Sequence, residues 1–322
     1  MPTGSFPDSA RSAPVVVVAG PTATGKSALA LALAEAFAGT VVNADSIQLY
    51  RDLAILSARP DTAAEQRAPH RLYGILDAAE RGTVARWRAL ALAEIAATHA
   101  AGRLPIVVGG TGLYLRALRQ GLAPIPEPGA AARAEALSLY RTLGGAGLHA
   151  RLARLDPATA ARLKPGDTQR LVRAFEVVRG TGVPLSAWQA RPGEPAPYRF
   201  ATILLLPPRD ALYAACDARF AAMIASGGLA EAAALLARGL DPRLPAMKAL
   251  GIPELFAHLR GESGLAEAVA AAQRATRQYA KRQTTWFRHQ ETPELAFAEQ
   301  FSERMLRCSR QFIDRFLLTG PA

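Results

Sequence analysis

At 322 residues, half of them hydrophobic and 20% charged, the chain accommodates about two globular domains and is excluded from the disordered and fibrous classes. Its 38 basic residues outnumber 27 acidic ones, a net charge of +11 that points to a polyanionic partner. The two cysteines, Cys216 and Cys308, are too few for a disulfide framework and lack zinc-site spacing. They fit a reducing, cytoplasmic setting as buried bystanders, and no apolar run approaches the eighteen or so residues of a membrane helix.

In chain order, residues 1–13 are polar and are expected to be a disordered lead-in. The apolar run 15–19 (VVVVA) reads as a strand. It ends at Gly20-Pro21-Thr22-Ala23-Thr24-Gly25-Lys26-Ser27, a complete G-x-x-x-x-G-K-S phosphate loop, and an Ala/Leu-rich helical stretch follows at once. In that context successive backbone N–H groups and the positive end of the helix converge on an anionic phosphate. Lys26 reaches its terminal oxygens, and the Ser27 hydroxyl is a candidate ligand for a magnesium ion.

A second strand, 40–44 (TVVNA), leads into Asn43-Ala44-Asp45-Ser46-Ile47-Gln48. Strand carboxyl ends face the ligand crevice in an open α/β sheet, so Asp45 is expected near the phosphate loop. By itself an Asp after a strand is more often a turn or helix cap; beside a phosphate loop the functional reading is favoured. The third strand, 104–108 (LPIVV), ends in Gly109-Gly110-Thr111-Gly112, with none of the acidic residues that hold metal-bound water in ATP- or GTP-hydrolysing proteins.

Two proline-rich breaks, at 123–128 and 191–197, bracket a stretch of helical periodicity without strand-like runs. The expected architecture is therefore a parallel α/β sheet of the phosphate-loop type, covered by helices, with a helical insertion. The core takes 14–122 and 199–322 and the insertion 123–198. Within the insertion, Pro165-Gly166-Asp167 reads as a helix start with Asp167 as N-cap, and Arg170 and Arg173 share a face. The core resumes with the strand 202–206 (TILLL) and continues in helices from about 209. In the last long helix Arg274, Arg277, Lys281 and Arg288 form a basic stripe, interleaved with Tyr279 and Trp286. That pattern suits phosphate contact and stacking on unpaired bases, and equally suits a core helix with one solvated basic face.

These motifs, GPTATGKS, NADSIQLY, GGTGLY, DPATAARLKPGDTQRLVRAFEV, MKALG and ATRQYAKRQTTWFR, occur in the order found in bacterial tRNA dimethylallyltransferases. The chain resembles that family over about residues 15–290. The resemblance implies transfer of a dimethylallyl group from its diphosphate to the exocyclic amine of the adenosine 3′ of the anticodon, with Mg2+ as cofactor and a monomeric enzyme.

It also implies that loop 20–27 binds the donor diphosphate, with Thr22 and Lys26 on its oxygens. Asp45 is then the general base, Arg219 a diphosphate-binding arginine, and Thr111 the residue at the channel mouth. The regions that match tRNA-contacting ones are Asp45, Ser46, Ile47 and Gln48; Arg133; Gln169, Arg170, Leu171, Val172 and Arg173; and Lys248, Ala249, Leu250, Gly251, Ile252 and Pro253. Arg277 and Lys281 complete that set. Gly166 and Ile252 stand where many relatives have Asn and Tyr. The alternatives from other classes are a small-molecule or nucleoside kinase, which would turn over ATP and ignore RNA, and a non-catalytic RNA-binding ATPase.

Overall fold

The computed structural model describes residues 13–319, so nearly all of the expected lead-in, 1–12, lies outside the described residues. The chain opens with β1 (Pro14–Ala19), whose last five side chains are buried, followed by α1 (Lys26–Ala36) and β2 (Gly39–Asn43). Then come α2 (Thr62–Arg67), the two-residue β3 (His70–Arg71), α3 (Val84–Ala100), β4 (Leu104–Gly109) and α4 (Gly112–Gln120). Capping fixes several starts. The Asp61 carboxylate accepts from Ala64 N–H at 2.8 Å, and the Thr83 hydroxyl accepts from Arg86 N–H at 3.1 Å.

The next segment is entirely helical: α5 (Ala130–Leu155), α6 (Pro157–Ala160), α7 (Thr168–Thr181) and α8 (Leu185–Gln189). The chain then returns to the sheet with β5 (Arg199–Leu205). The remaining elements are α9 (Arg209–Met223), α10 (Leu229–Ala237), α11 (Ile252–Leu259), α12 (Leu265–Gln290), β6 (Leu295–Phe297) and α13 (Glu303–Leu318).

All six strands are parallel, in the order β3-β2-β4-β1-β5-β6. Central β1 pairs Val16 with Ile106 of β4 and Val17 with Thr202 of β5. Its side chains alternate between two cores, as a strand covered on both faces requires. Val15 and Val17 pack with Trp87 and Ile95 of α3, Leu115 and Leu118 of α4, and Leu255 of α11. Val16 and Val18 pack with Leu29 and Leu33 of α1 and Met305 and Ile313 of α13. Phosphate loop, Asp45 turn and Gly109–Thr111 turn thus follow the carboxyl ends of β1, β2 and β4.

The chain divides into two compact units, one formed by residues up to Arg119 and from Ala196 onward, the other by Gln120–Pro195. The second has its own core of Leu148, Leu152, Leu171, Phe175 and Trp188, with α5 packed on α7 and bent at Gly144, where φ is +64°.

The expected strands 15–19, 40–44, 104–108 and 202–206 correspond to β1, β2, β4 and β5. β3 and β6 were not anticipated, and β6 interrupts the expected run of C-terminal helices. The expectation about membrane helices needs correction. α9 and α10 run through a π turn (Ile224–Gly228) as one helix, Arg209–Ala237, long and apolar enough by composition to cross a membrane. Alanine supplies that apolar character. Charged groups within it are used internally, among them Glu231, whose carboxylate accepts backbone N–H groups of Ala54, Ile55 and Leu56 at 2.6–2.8 Å.

Candidate active site

The phosphate loop is tightly self-bonded. Gly25 caps α1 in the left-handed region at φ +84°, and Ala23 is held at +63°, a strain of about 1–3 kcal/mol for a residue with a Cβ. The Thr24 hydroxyl and the Lys26 ammonium both donate to the Pro21 carbonyl, at 3.0 and 3.2 Å. Lys26 is only 9% exposed, and burial pushes its ammonium down to about 8, with Asp45 opposing that shift and Arg219 adding to it. At neutral pH it keeps its proton. The Arg219 guanidinium, projected from the C-terminal half of α9, donates to the Thr22 hydroxyl. Burial lowers its pKa too, partly offset by Cys216 and Asp45, yet a guanidinium stays charged.

Asp45 is positioned by its neighbours. The Asn43 side chain accepts Asp45 N–H at 2.8 Å and donates to the carbonyls of Asp45 and Leu72, both at 3.0 Å. The Asn43 carbonyl is held by Trp87 Nε1 at 2.8 Å, and Trp87 stacks on Tyr114 with centroids 4.4 Å apart. Asp45 Oδ1 accepts Ile47 N–H at 2.9 Å, which fixes the carboxylate in an Asx turn. Thr111 Oγ1 accepts Ser46 N–H at 3.1 Å and is hydrogen-bonded to Tyr279. Burial pushes up the phenols of Tyr73 and Tyr279, and the Asp45 charge raises both further, so both stay neutral.

One buried residue ties the loops together. Gln283 of α12 accepts Thr22 N–H at 2.9 Å and donates to the Gly110 carbonyl at 2.8 Å. Next along α12, the Trp286 ring lies against Gly112, where any Cβ would collide with it. The result is a cavity of about 420 Å³ lined by Thr22, Lys26, Ser27, Asp45, Gln48, Gly109, Arg219 and Gln300. It combines an anion cradle, two cations and one carboxylate.

Among the described residues no group of three or more His, Cys, Asp or Glu side chains is arranged to hold a metal ion. A tightly caged metal is therefore not supported. A magnesium ion held by the Ser27 hydroxyl and by substrate phosphate oxygens is compatible with this donor set, because Mg2+ is commonly bound by few protein ligands plus phosphates.

The family model for IPP transferase matches residues 48–290. The tRNA dimethylallyltransferase of Rhodospirillum centenum is 63% identical over 282 residues, which cover 86% of this chain and 89% of that protein. The chain belongs to the IPP transferase family. Solved structures agree. The tRNA isopentenylpyrophosphate transferase of Bacillus halodurans superposes with a TM-score of 0.69 at 32% identity, covering 94% of this chain and 96% of that one. A eukaryotic dimethylallyltransferase acting on tRNA gives 0.80 at 25% identity, covering 94% and 80%.

In this IPP transferase the expected tRNA-contact residues divide by exposure. Gln169, Arg170, Arg173, Lys248, Pro253 and Lys281 are exposed. Leu171 and Val172 are buried in the core of the helical unit, and Ala249, Gly251 and Ile252 are buried at the start of α11, so the side chains of Leu171, Val172, Ala249 and Ile252 are turned to the core. The reason is helical geometry: within Gln169–Arg173 only one face of α7 reaches solvent. Asp167 does precede α7, but its carboxylate accepts Lys164 N–H at 3.0 Å and does not cap the helix.

Two expected basic faces are partly neutralised. Arg173 pairs with buried Glu176 at 2.7 Å, with Arg133 behind it at 3.5 Å, and Arg277 grips Asp217 at 2.6 Å. Of the cysteines, Cys216 is buried and Cys308 only partly so.

Sequence reading overlooked Asn43, Gln283 and Gln300. Gln283 carried a usable signal. It falls on the buried stripe Thr276, Ala280, Gln283 and Phe287, and a polar side chain on such a stripe needs partners.

Proposed function

We infer that this chain transfers a dimethylallyl group from dimethylallyl diphosphate to the exocyclic amine of the adenosine 3′ to the anticodon of tRNA, releasing diphosphate. The observation that carries the reading is the single cavity in which Asp45 faces the phosphate loop, Lys26 and Arg219. In the transfer, the bond between the allylic carbon and the diphosphate oxygen breaks and its electron pair leaves with the diphosphate. The amine nitrogen forms the new bond to that carbon, and its proton passes to the Asp45 carboxylate. Loop amides, Lys26 and Arg219 oppose the charge gathering on the leaving group, which is where a fixed electrostatic environment contributes most.

The adenine amine is a weak nucleophile because its lone pair is delocalised into the ring, and a positioned base contributes about 10²–10⁴-fold. Mg2+, with Ser27 as its protein ligand, would supply further stabilisation of the diphosphate. No water needs activating, which accounts for β4 running into Gly110-Thr111 and not into an acidic residue. The target base must leave its stack to enter the cavity, a cost of a few kcal/mol that is least in an unpaired loop.

The reading includes a monomer working in the cytoplasm without a membrane. The two unpaired cysteines support its cytoplasmic part, and the internal use of Arg219 and Glu231 along helix Arg209–Ala237 supports the part without a membrane.

Incubation with dimethylallyl diphosphate, Mg2+ and bulk tRNA, followed by nucleoside mass analysis, is expected to show a prenylated adenosine. Turnover of ATP with a metabolite and no prenylation would establish the kinase alternative. Asp45→Asn keeps an oxygen for the Ile47 N–H and removes the base. Its single-turnover rate is expected to fall by about 10²–10⁴-fold with tRNA affinity within a few-fold. A variant retaining a tenth of the rate would show that Asp45 is not the base.

A further inference from the structure

The connection between β6 and α13 lies on the phosphate loop. Phe301 sits so close to Gly25 that a Cβ built there would come within 2.6 Å of the Phe301 Cβ. Gly25 therefore meets two demands, the left-handed turn into α1 and room for this segment. α13, which follows directly, packs on α1, the helix the loop introduces. The segment thus has a fixed seat over the loop.

Gln300, next to Phe301, lines the same cavity as Lys26, Ser27 and Arg219. Its Nε2 is buried and has no hydrogen-bond partner. Several polar side chains and one amide of the loop already have partners. Thr24 donates to Pro21, Thr22 N–H to Gln283, the Thr22 hydroxyl accepts from Arg219, and Lys26 places one of its three N–H donors on Pro21. A buried amide N–H with no acceptor carries its full desolvation penalty, and proteins seldom retain one without a reason. Gln300 lines a cavity that already presents two cations and a helix N-terminus, so an anionic oxygen entering that cavity is the acceptor this donor lacks.

We propose that Gln300 binds the diphosphate of the donor through its carboxamide N–H, and that Gln300 and Phe301 together form the cover of the phosphate loop. The proposal rests on the reading that this loop holds a diphosphate. It gives a function to a segment beyond residue 290, where the family match stops.

The test uses the full chain and inorganic pyrophosphate with Mg2+ as probe, titrated calorimetrically, alongside kinetics with dimethylallyl diphosphate and tRNA. Gln300→Leu is expected to weaken pyrophosphate binding by about tenfold, the size of one hydrogen bond to a charged group, and to raise the donor KM with tRNA affinity unchanged. Its ligand-free melting temperature is expected to stay level or rise, because an unsatisfied buried donor has been removed. Gln300→Glu, which puts a carboxylate where the donor stands, is expected to lose more than Gln300→Leu.

A Gln300→Leu protein that melts lower yet binds pyrophosphate as wild type does would make Gln300 a packing residue and overturn the proposal. Equal or tighter binding by Gln300→Glu would overturn it as well, since the group would then face a cation. If folded wild-type protein itself bound no pyrophosphate, the diphosphate reading of the loop would fail first.

Discussion

Gln283 holds together the two turns that follow the adjacent strands β1 and β4. Its two amide ends satisfy Thr22 N–H and the Gly110 carbonyl, and the residue is only 6% exposed. Gln283→Leu leaves two buried backbone groups without partners, each costing about 1–3 kcal/mol. Unfolding free energy measured in urea is expected to fall by about 2–4 kcal/mol, less than the sum because the site can admit water. The single-turnover rate is expected to fall more than tRNA affinity does, since the phosphate loop and the Thr111 turn lose their common support. Unchanged stability would mean that this bridge does not form in solution. At this scale, legibility followed sequence distance. Lys26, Ser27 and Asp45 announced themselves through contiguous motifs whose chemistry is local. Arg219 had no motif and was reached only through family resemblance. Gln283 lies 261 residues from Thr22, so only its place on an apolar stripe hinted at a role.

Among the elements, long strands and helices were legible because their periodicity is long enough to declare itself, as in the Val run of β1 or the apolar face of α7. β3 has two residues and β6 three, too few for any period, and both exist because a neighbouring strand offers its edge. The short helices of the insertion depend on a different device, the fully buried carboxylate of Asp156. It accepts Thr159 N–H at 3.0 Å, Ser186 N–H at 3.0 Å and the Ser186 hydroxyl at 2.7 Å, pinning the start of α6 to α8. Burial pushes its pKa up, but the hydrogen bonds from Ser186 and Thr159 outweigh burial and hold it below the usual carboxylate value. Since the folded pKa lies below the unfolded one of about 3.9, its stabilisation is complete above that pH and is lost as pH falls through the folded value. Asp156→Ala is expected to cost about 2–4 kcal/mol at neutral pH, read from amide exchange at Thr159 and Ser186. The difference from wild type should shrink below about pH 4. A difference that persists undiminished into strong acid would show that the charged form contributes nothing.

For the whole molecule, the net charge of +11 was legible from composition, but which charges are free to meet an RNA was not. Ion pairing decides that. Arg173 is drawn onto Glu176 and Arg277 onto Asp217, and each such pair presents little net charge to a phosphate. Arg170 and Lys281 are exposed and form no ion pair among the described residues. Affinity for tRNA depends on salt through the counterions each phosphate contact releases, so the slope of log affinity against log salt counts the contacts made. Arg170→Ala and Lys281→Ala are each expected to weaken tRNA binding and reduce that slope by about 0.7–0.9, measured between about 50 and 200 mM salt, with donor binding preserved. The double variant Arg277→Ala/Asp217→Ala should change the slope little, because it removes a neutral pair. Asp217→Asn alone should tighten binding and steepen the slope, because it releases the Arg277 guanidinium. If Arg170→Ala and Lys281→Ala both keep the wild-type slope, these faces are ordinary solvated surface. The excess of arginine would then record composition and not a binding surface.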